Sequence, residues 1–255
     1  MFNTSRNELG TLLPVSNYVK VLGVTLDRSL GFDKHISNIV SSVNFALRNI
    51  RLVKNCLSQK SLETLIHSLI TSKLDQCNAL LMGLTQANLD KLQKLQNNAL
   101  RLVLGLPPRS HNISVRMREC HWLPVKNRIV FKYLTTIFKC VNCLAPVQLA
   151  QKIRLECPIN MVLISGYRPT SVFGKRAFSY LAPRFWNALP RKLRVIPALE
   201  QFKVNLKTYL FDNLNELLHR VDPYTSFAIS QPEHSVFTNE RNRLDGFQRW
   251  NAGLV

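Results

Sequence analysis

Apolar residues along most of this chain recur every three or four positions, which is the spacing of one face of an α-helix. The pattern is clearest over residues 33–54. Asp33 is predicted to cap this helix, because a short carboxylate accepts the free N–H groups of a first turn. The apolar face comprises Ile36, Ile39, Val40, Val43, Leu47 and Ile50. Similar stripes predict further amphipathic helices over 58–81, 85–105, 124–141 and 198–218.

Residues 11–26 follow a different pattern, in which two short apolar runs flank a turn over 14–17. Apolar runs around turn residues predict a β-hairpin. Gly23, inside the second run, is expected where a neighbouring backbone or a ligand comes close. Because a lone hairpin is only marginally stable in water, we expect that its sheet partners are missing and that the chain begins in the middle of a domain.

Together these elements predict a mainly α fold: a helical bundle with a short N-terminal β-hairpin and a second helical C-terminal lobe. Short links between the first helices favour antiparallel neighbours and hence a bundle. The segment 106–110, with two prolines, is a rigid break. We therefore divide the chain into 1–30 (hairpin), 31–106 (bundle), 107–221 (basic helical lobe) and 222–255, which loses periodicity and is expected to be a disordered tail.

The charge of the chain is strongly one-sided, with 34 Lys and Arg against 15 Asp and Glu and a formal net charge of +19. Such a balance is typical of proteins that bind a polyanion, most often nucleic acid and less often an anionic membrane surface. A basic protein without such a partner is the alternative.

The basic excess is concentrated in two stretches. From 166 to 210, nine basic residues are accompanied by a single acid, Glu200, and from 101 to 132 seven are accompanied by Glu119. Phosphate binding requires several cations along one groove, so these stretches are candidate contacts. A plain solvated surface would have the same composition.

The helix over 33–54 also carries a second face, which is basic. Lys34, Ser41 and Arg48 recur on it at seven-residue spacing, and Phe45 and Leu52 lie near them. Such a helix is expected to make contacts through both faces. The basic face is expected to contact either another protein surface or nucleic acid.

The segment 177–190, AFSYLAPRFWNALP, contains four aromatic residues and two prolines. Aromatic residues at this density usually anchor packing. In a basic chain they could instead stack on nucleic-acid bases. Phe185 and Trp186 therefore have two interpretations, core packing and base stacking.

Candidate catalytic chemistry is sparse. The sequence has no adjacent carboxylate pair and no nucleophile-elbow, H-E-x-x-H or phosphate-loop motif, so enzymatic activity is uncertain. Cys140 and Cys143 form half of a zinc pattern that His121 and Cys157 could complete, although small thiols buried in helices explain the same spacing. No cofactor is expected in this chain.

The first residues lack the basic-then-apolar layout of a secretory signal. No apolar run reaches the roughly 18 residues that a membrane helix needs. We therefore expect an intracellular protein, nuclear or cytoplasmic, with reduced thiols and no membrane partner.

Several stretches in their order and spacing resemble the C-terminal half of reverse transcriptases from LINE-type, non-LTR retrotransposons. The resemblance covers about residues 18–211. The stretches that carry it are YVKVLGVTLD (18–27), SKLDQCNALLMGL (72–84), LQKLQNNALRLVLGLP (92–107), HWLPVKNRIVFK (121–132), AFSYLAPRFWNALP (177–190) and LEQFKVNLKTYLF (199–211).

The resemblance implies that residues 1–30 are a remnant of the polymerase palm and that 31–106 are its thumb. It implies a primer-grip role for Val21, Leu22, Gly23 and Val24, and contact of the first thumb helix with a duplex. The family's catalytic aspartates, which hold Mg²⁺, lie upstream and do not occur here. The missing palm and fingers of the same polyprotein are therefore expected partners.

These considerations lead to two hypotheses. The first is a fragment of an RNA-directed DNA polymerase that binds RNA or an RNA–DNA duplex through phosphates and is inactive alone. The second is a helical protein-interaction scaffold derived from a transposon remnant. For the first, the candidate nucleic-acid contacts are Lys34, Arg48, Arg51, Lys175, Arg176, Arg191 and Arg194.

Overall fold

The computed structural model describes residues 4–6, 12–14, 16–107, 110, 112–157, 161–164, 166, 168–171 and 174–221. Helices dominate this part of the chain, so the predicted mainly α fold with a short N-terminal hairpin is confirmed. The helices are α1 (Asp33–Val53), α2 (Gln59–Ile66), α3 (Ser72–Asp75), α4 (Gln86–Leu104), α5 (Ile113–Glu119), α6 (Val125–Val141), α7 (Val147–Ala150), α8 (Phe178–Ala188), α9 (Arg191–Arg194) and α10 (Leu199–Val221). The predicted tail, 222–255, lies outside the described residues.

The described strands form three antiparallel pairs: β1 (Thr4–Arg6) with β2 (Leu12–Pro14), β3 (Tyr18–Val21) with β4 (Val24–Asp27), and β5 (Arg154–Cys157) with β6 (Val162–Ile164). The predicted pairing across 14–17 is therefore wrong. The second apolar run folds on itself, with Leu22 and Gly23 as its turn. Both have positive φ, 49° and 86°, which a two-residue type I′ turn requires.

The predicted close approach at Gly23 has a structural counterpart. A Cβ at this position would lie 2.6 Å from the side-chain nitrogen of Gln76. The positive φ favours a glycine here, whereas the Gln76 side chain is flexible and could move away from a Cβ. The hairpin is held against the chain segment that follows α3.

The start of α1 differs from the prediction, because Asp33 is its first helical residue and not its cap. The N-cap is Phe32, which has a left-handed φ of 62° and makes no side-chain cap hydrogen bond. The Asp33 carboxylate instead accepts a 2.7 Å hydrogen bond from the amide of Asn88 on α4. The link before α1 is fixed by Asp27, whose carboxylate accepts the N–H groups of Gly31 (2.9 Å) and Phe32 (2.6 Å).

Helix α1 packs against α4, and the apolar face that the sequence predicts for α1 is the buried one. Five of its six predicted positions are buried, and Val40 is half-buried. The predicted bounds of α4 are also confirmed. The Thr85 side chain caps its start by accepting the N–H of Asn88, and Gly105, with a φ of 64°, ends it. These signals are local, so the sequence carries them directly.

The helix predicted over 58–81 ends earlier. After α2, one π-helical turn (His67–Thr71) leads into α3, which stops at Asp75. Gln76 is extended and Cys77 is left-handed, so the helix is interrupted before a short 3₁₀ turn over Asn78–Leu81. The apolar period continues through this interruption, so the sequence pattern predicts one continuous helix.

Helices α6, α8 and α10 pack together around aromatic side chains. The rings of Phe138 and Phe202 are stacked with centroids 4.4 Å apart, and Trp186 lies 6.0 Å from Phe202. Phe185 and Trp186 are buried, at 2% and 0% exposure. Of their two interpretations, core packing is therefore correct, and neither ring is accessible for base stacking.

His35 joins α1 to the hairpin. It is buried, its Nδ1 accepts the N–H of Thr25 at 3.4 Å, and its Nε2 is buried without a hydrogen-bond partner in the described structure. Burial lowers the pKa of His35, because a desolvated imidazolium is disfavoured. The folded chain thus favours the neutral ring.

The free energy of unfolding is therefore expected to fall on acidification. An unfolded histidine titrates near pH 6.5, so below that pH the unfolded state binds more protons than the folded state does. The contribution of neutral His35 is complete above about pH 6.5 and is lost as the pH drops through the lowered folded pKa. Urea unfolding at several pH values measures this. His35→Asn, which keeps an acceptor but does not titrate, should flatten the dependence over that range, and an unchanged profile would contradict the assignment.

Candidate nucleic-acid interface

The outer face of α1 carries the first group of predicted contacts. Lys34 and Arg48 are exposed on this face. Phe45, which lies between them, is 62% exposed, and Leu52, one turn after Arg48, is 83% exposed. Arg51 is exposed on an adjoining face of the same helix. These side chains lie opposite the buried stripe, so α1 presents a mixed basic and apolar surface to solvent.

The four residues with a predicted primer-grip role do not share one environment. Val21 and Leu22 are exposed, Leu22 at 89%, and Gly23 lies beside it in the turn. Val24 is only 3% exposed and packs into the core beneath the hairpin. A ligand on this hairpin could thus contact the turn and β3, whereas Val24 supports the turn from below.

The second group of predicted contacts also divides in two. Lys175 and Arg191 are exposed. Arg176 is half-buried and donates from Nη1 to the carbonyl oxygen of Leu30 (2.9 Å), and Arg194 is half-buried and donates from Nη1 to that of Met161 (3.2 Å). Burial lowers the pKa of both guanidinium groups. These two arginines hold parts of the fold together, which leaves them less accessible than Lys175 and Arg191.

A third group of basic side chains, which is not among the predicted contacts, lines one cleft. His121, Arg128, Lys132 and Lys207 line one cleft of about 290 Å³. Arg128 and Lys132 are one turn apart on α6, Lys207 comes from α10, and His121 belongs to the turn after α5. Three separate elements thus bring four basic side chains to one place.

The cleft contains one acidic group among its described lining residues, Asp75, and that group is already paired. Arg128 donates to it from Nε at 2.8 Å and also from Nη2, and the Asn78 amide donates to it at 3.1 Å. Asp75 therefore offsets Arg128. Lys132 and Lys207 have no such carboxylate in the cleft.

The charges in the cleft are close enough to affect one another. The pKa of Lys207 is lowered by burial and by the positive charge of Arg128. The lowered pKa means that burial and the neighbouring cation make the ammonium form less favourable here than in water. An anion beside these side chains would offset that cost.

The hypothetical zinc site has no support in the described structure. Within the described ranges, no group of three or more His, Cys, Asp and Glu side chains is arranged to hold a metal ion. Cys140 is buried and Cys143 is exposed, so the two thiols do not share one environment. The Cys157 side chain lies outside the described residues.

Across the described helices, none is long and apolar enough to cross a bilayer.

Comparisons of this chain with models of protein families, with curated proteins and with solved structures found no match. The resemblance to LINE-type reverse transcriptases therefore stays a prediction that rests on the sequence stretches quoted above.

Proposed function

We propose that this chain is a helical module that binds RNA or an RNA–DNA duplex through the phosphate backbone. In this proposal it corresponds to the thumb and C-terminal region of a LINE-type reverse transcriptase and works without the catalytic palm. The observation that supports it most is the cleft between α6 and α10. Two lysines there lack an acidic partner in the cleft, beside an arginine and a histidine.

Phosphate binding explains this arrangement physically. Each phosphate that a cation neutralises releases condensed counterions, so several cations in one groove give strong binding without base recognition. The net charge of +19 adds long-range attraction for a polyanion. The outer face of α1, with Lys34 and Arg48, supplies a second set of contacts in this proposal.

The proposed module binds nucleic acid without carrying out the chemistry of a polymerase. Two-metal nucleotide transfer requires carboxylates that hold both ions close together. The sequence has no adjacent pair of Asp or Glu residues, so we propose that the carboxylates of any active enzyme come from a separate palm. The module itself then needs no cofactor.

The salt dependence of binding tests the proposal. Filter binding with an RNA–DNA duplex is expected to give an affinity whose logarithm falls linearly with the logarithm of salt concentration. Three to four phosphate contacts correspond to a slope of about −3. Undetectable binding at low salt, or an affinity that does not change with salt, would contradict the proposal.

A second candidate function, a protein-interaction scaffold, is favoured by one specific observation. Phe45 and Leu52 are largely exposed at seven-residue spacing on α1, and large exposed apolar side chains on one face commonly mark protein contacts. The double variant Lys34→Glu/Arg48→Glu distinguishes the two functions. It weakens duplex binding if this face contacts phosphates, and it changes nothing if the face docks a protein through Phe45 and Leu52.

A further inference from the structure

The cationic cleft between α6 and α10 holds one of its cations in a fixed position. Arg128 donates from Nε to the Asp75 carboxylate at 2.8 Å, and its Nη2 donates to the same group. Asp75 is itself held by the amide of Asn78 at 3.1 Å. This chain of hydrogen bonds orients the guanidinium before a ligand binds, and such preorganisation lowers the cost of binding.

Three donor groups of the cleft have no hydrogen-bond acceptor among the described residues. They are Nη1 of Arg128 and the ammonium groups of Lys132 and Lys207. Lys132 is exposed, and Arg128 and Lys207 are half-buried. Because α6 carries two of these groups and α10 the third, an anion in the cleft can accept charge-assisted hydrogen bonds from two helices at once.

The charges that line the cleft match a doubly charged anion. The charged members of the described lining are Arg128, Lys132, Lys207 and Asp75. Three cations and one carboxylate, with His121 counted as neutral, leave a formal charge of +2. A phosphodiester within a strand carries about one negative charge, whereas a phosphomonoester carries about 1.5 to 2 at pH 7. The cleft therefore balances a phosphomonoester more completely.

The size of the cleft favours the end of a strand over its interior. A volume of about 290 Å³ is near the lower limit of small-molecule sites and cannot enclose a duplex. The interior of a strand must both enter and leave such a cleft, whereas a strand end only enters. Leu123 and Phe131 form the apolar part of the described lining, against which the terminal nucleoside would pack.

We infer that the cationic cleft is a binding site for a phosphomonoester, and that its ligand is the terminal phosphate of an RNA or DNA strand. This assignment rests on the proposed nucleic-acid binding and adds the class of phosphate that the cleft selects. The terminal phosphate would accept hydrogen bonds from Arg128, Lys132 and Lys207. Internal phosphodiesters would then contact exposed cations elsewhere, such as those on α1.

Filter binding of the full chain to one RNA–DNA duplex tests this assignment. The duplex is prepared with a phosphate at its 5′ ends, with a phosphate at its 3′ ends, or with hydroxyl groups only. At least one phosphorylated form is expected to bind about fivefold or more tightly than the hydroxyl form, because its terminal group carries the additional charge. Lys132→Gln/Lys207→Gln should bring the affinities to within about twofold of one another. Lys60→Gln/Lys94→Gln, which neutralises two exposed lysines outside the cleft, should preserve the preference.

Equal, salt-dependent affinities for all three duplexes would overturn the terminal-phosphate site and leave the proposed function standing. Loss of the preference in both double variants would also overturn it, because overall charge would then explain the effect. If no duplex bound at low salt, the proposed function would fail as well.

A free nucleotide carries the same chemical group, so adenosine 5′-monophosphate is the competitor that separates the two sources. It is expected to displace the phosphorylated duplex only at a concentration at least about a hundredfold above that of unlabelled duplex, because it lacks the phosphates of the strand. Adenosine, which lacks the phosphate, should not compete. Competition by the monophosphate as effective as that by the duplex would overturn the strand-end assignment.

Discussion

The double variant Lys132→Glu/Lys207→Glu is expected to weaken binding of an RNA–DNA duplex by at least about tenfold at moderate salt. The two substitutions remove the cations that lack an acidic partner in the cleft and place two negative charges where a phosphate would sit. The slope of the logarithm of affinity against the logarithm of salt concentration should become shallower by about 1 to 2, which corresponds to the loss of one to two phosphate contacts. Filter binding across a salt series measures both quantities.

The matched control is Lys60→Glu/Lys94→Glu, which reverses two exposed lysines on α2 and α4. Both double variants lower the net charge by the same amount, so the control reports the effect of overall charge alone. An equal loss of affinity in the two variants would mean that the cleft is not a contact site. Circular dichroism must show that both remain folded.

Phe202→Ala is expected to lower the free energy of unfolding by about 3–5 kcal/mol. Phe202 is fully buried and stacks on Phe138, and the Trp186 ring lies close to both of these rings. Its removal leaves a cavity between α6, α8 and α10, which rigid aromatic neighbours cannot close. Urea unfolding followed by circular dichroism measures the loss.

Val204→Ala, two residues along the same helix, is the control for this prediction. Val204 is 66% exposed, so its truncation should change the free energy of unfolding by no more than about 0.5 kcal/mol. If Phe202→Ala cost less than about 1 kcal/mol, the aromatic cluster would not be the packing centre of α6, α8 and α10.

The basic residues show how sequence and structure contribute differently to a candidate site. Lys34 and Arg48 share a face because they are fourteen residues, about four helical turns, apart on one helix, and this is readable from the sequence. Arg128 and Lys132 are likewise one turn apart. Lys207 joins them only because α10 packs on α6, where the Asn127 amide donates to the carbonyl oxygen of Leu210 at 2.7 Å. No local pattern records that contact.

Arg176 is a basic residue that the tertiary structure removes from the set of accessible contacts. The sequence shows a basic residue beside Lys175 and suggests two equivalent contacts. In the structure Lys175 is exposed, whereas Arg176 reaches the carbonyl oxygens of Leu30 and Met82, far earlier in the chain. Burial and internal hydrogen bonding depend on residues far along the chain, so composition alone cannot separate a free cation from one that serves the fold.

The sequence by itself determined the helical class, the inward faces of the helices and the ends of α4. These follow from apolar period and capping residues, which act within a few positions of the chain. The tertiary structure decided the strand pairing around Gly23, the partner of Asp33, the burial of Phe185 and Trp186, and the assembly of the cationic cleft. Each of these depends on contacts between distant residues, and such contacts form only when the helices pack.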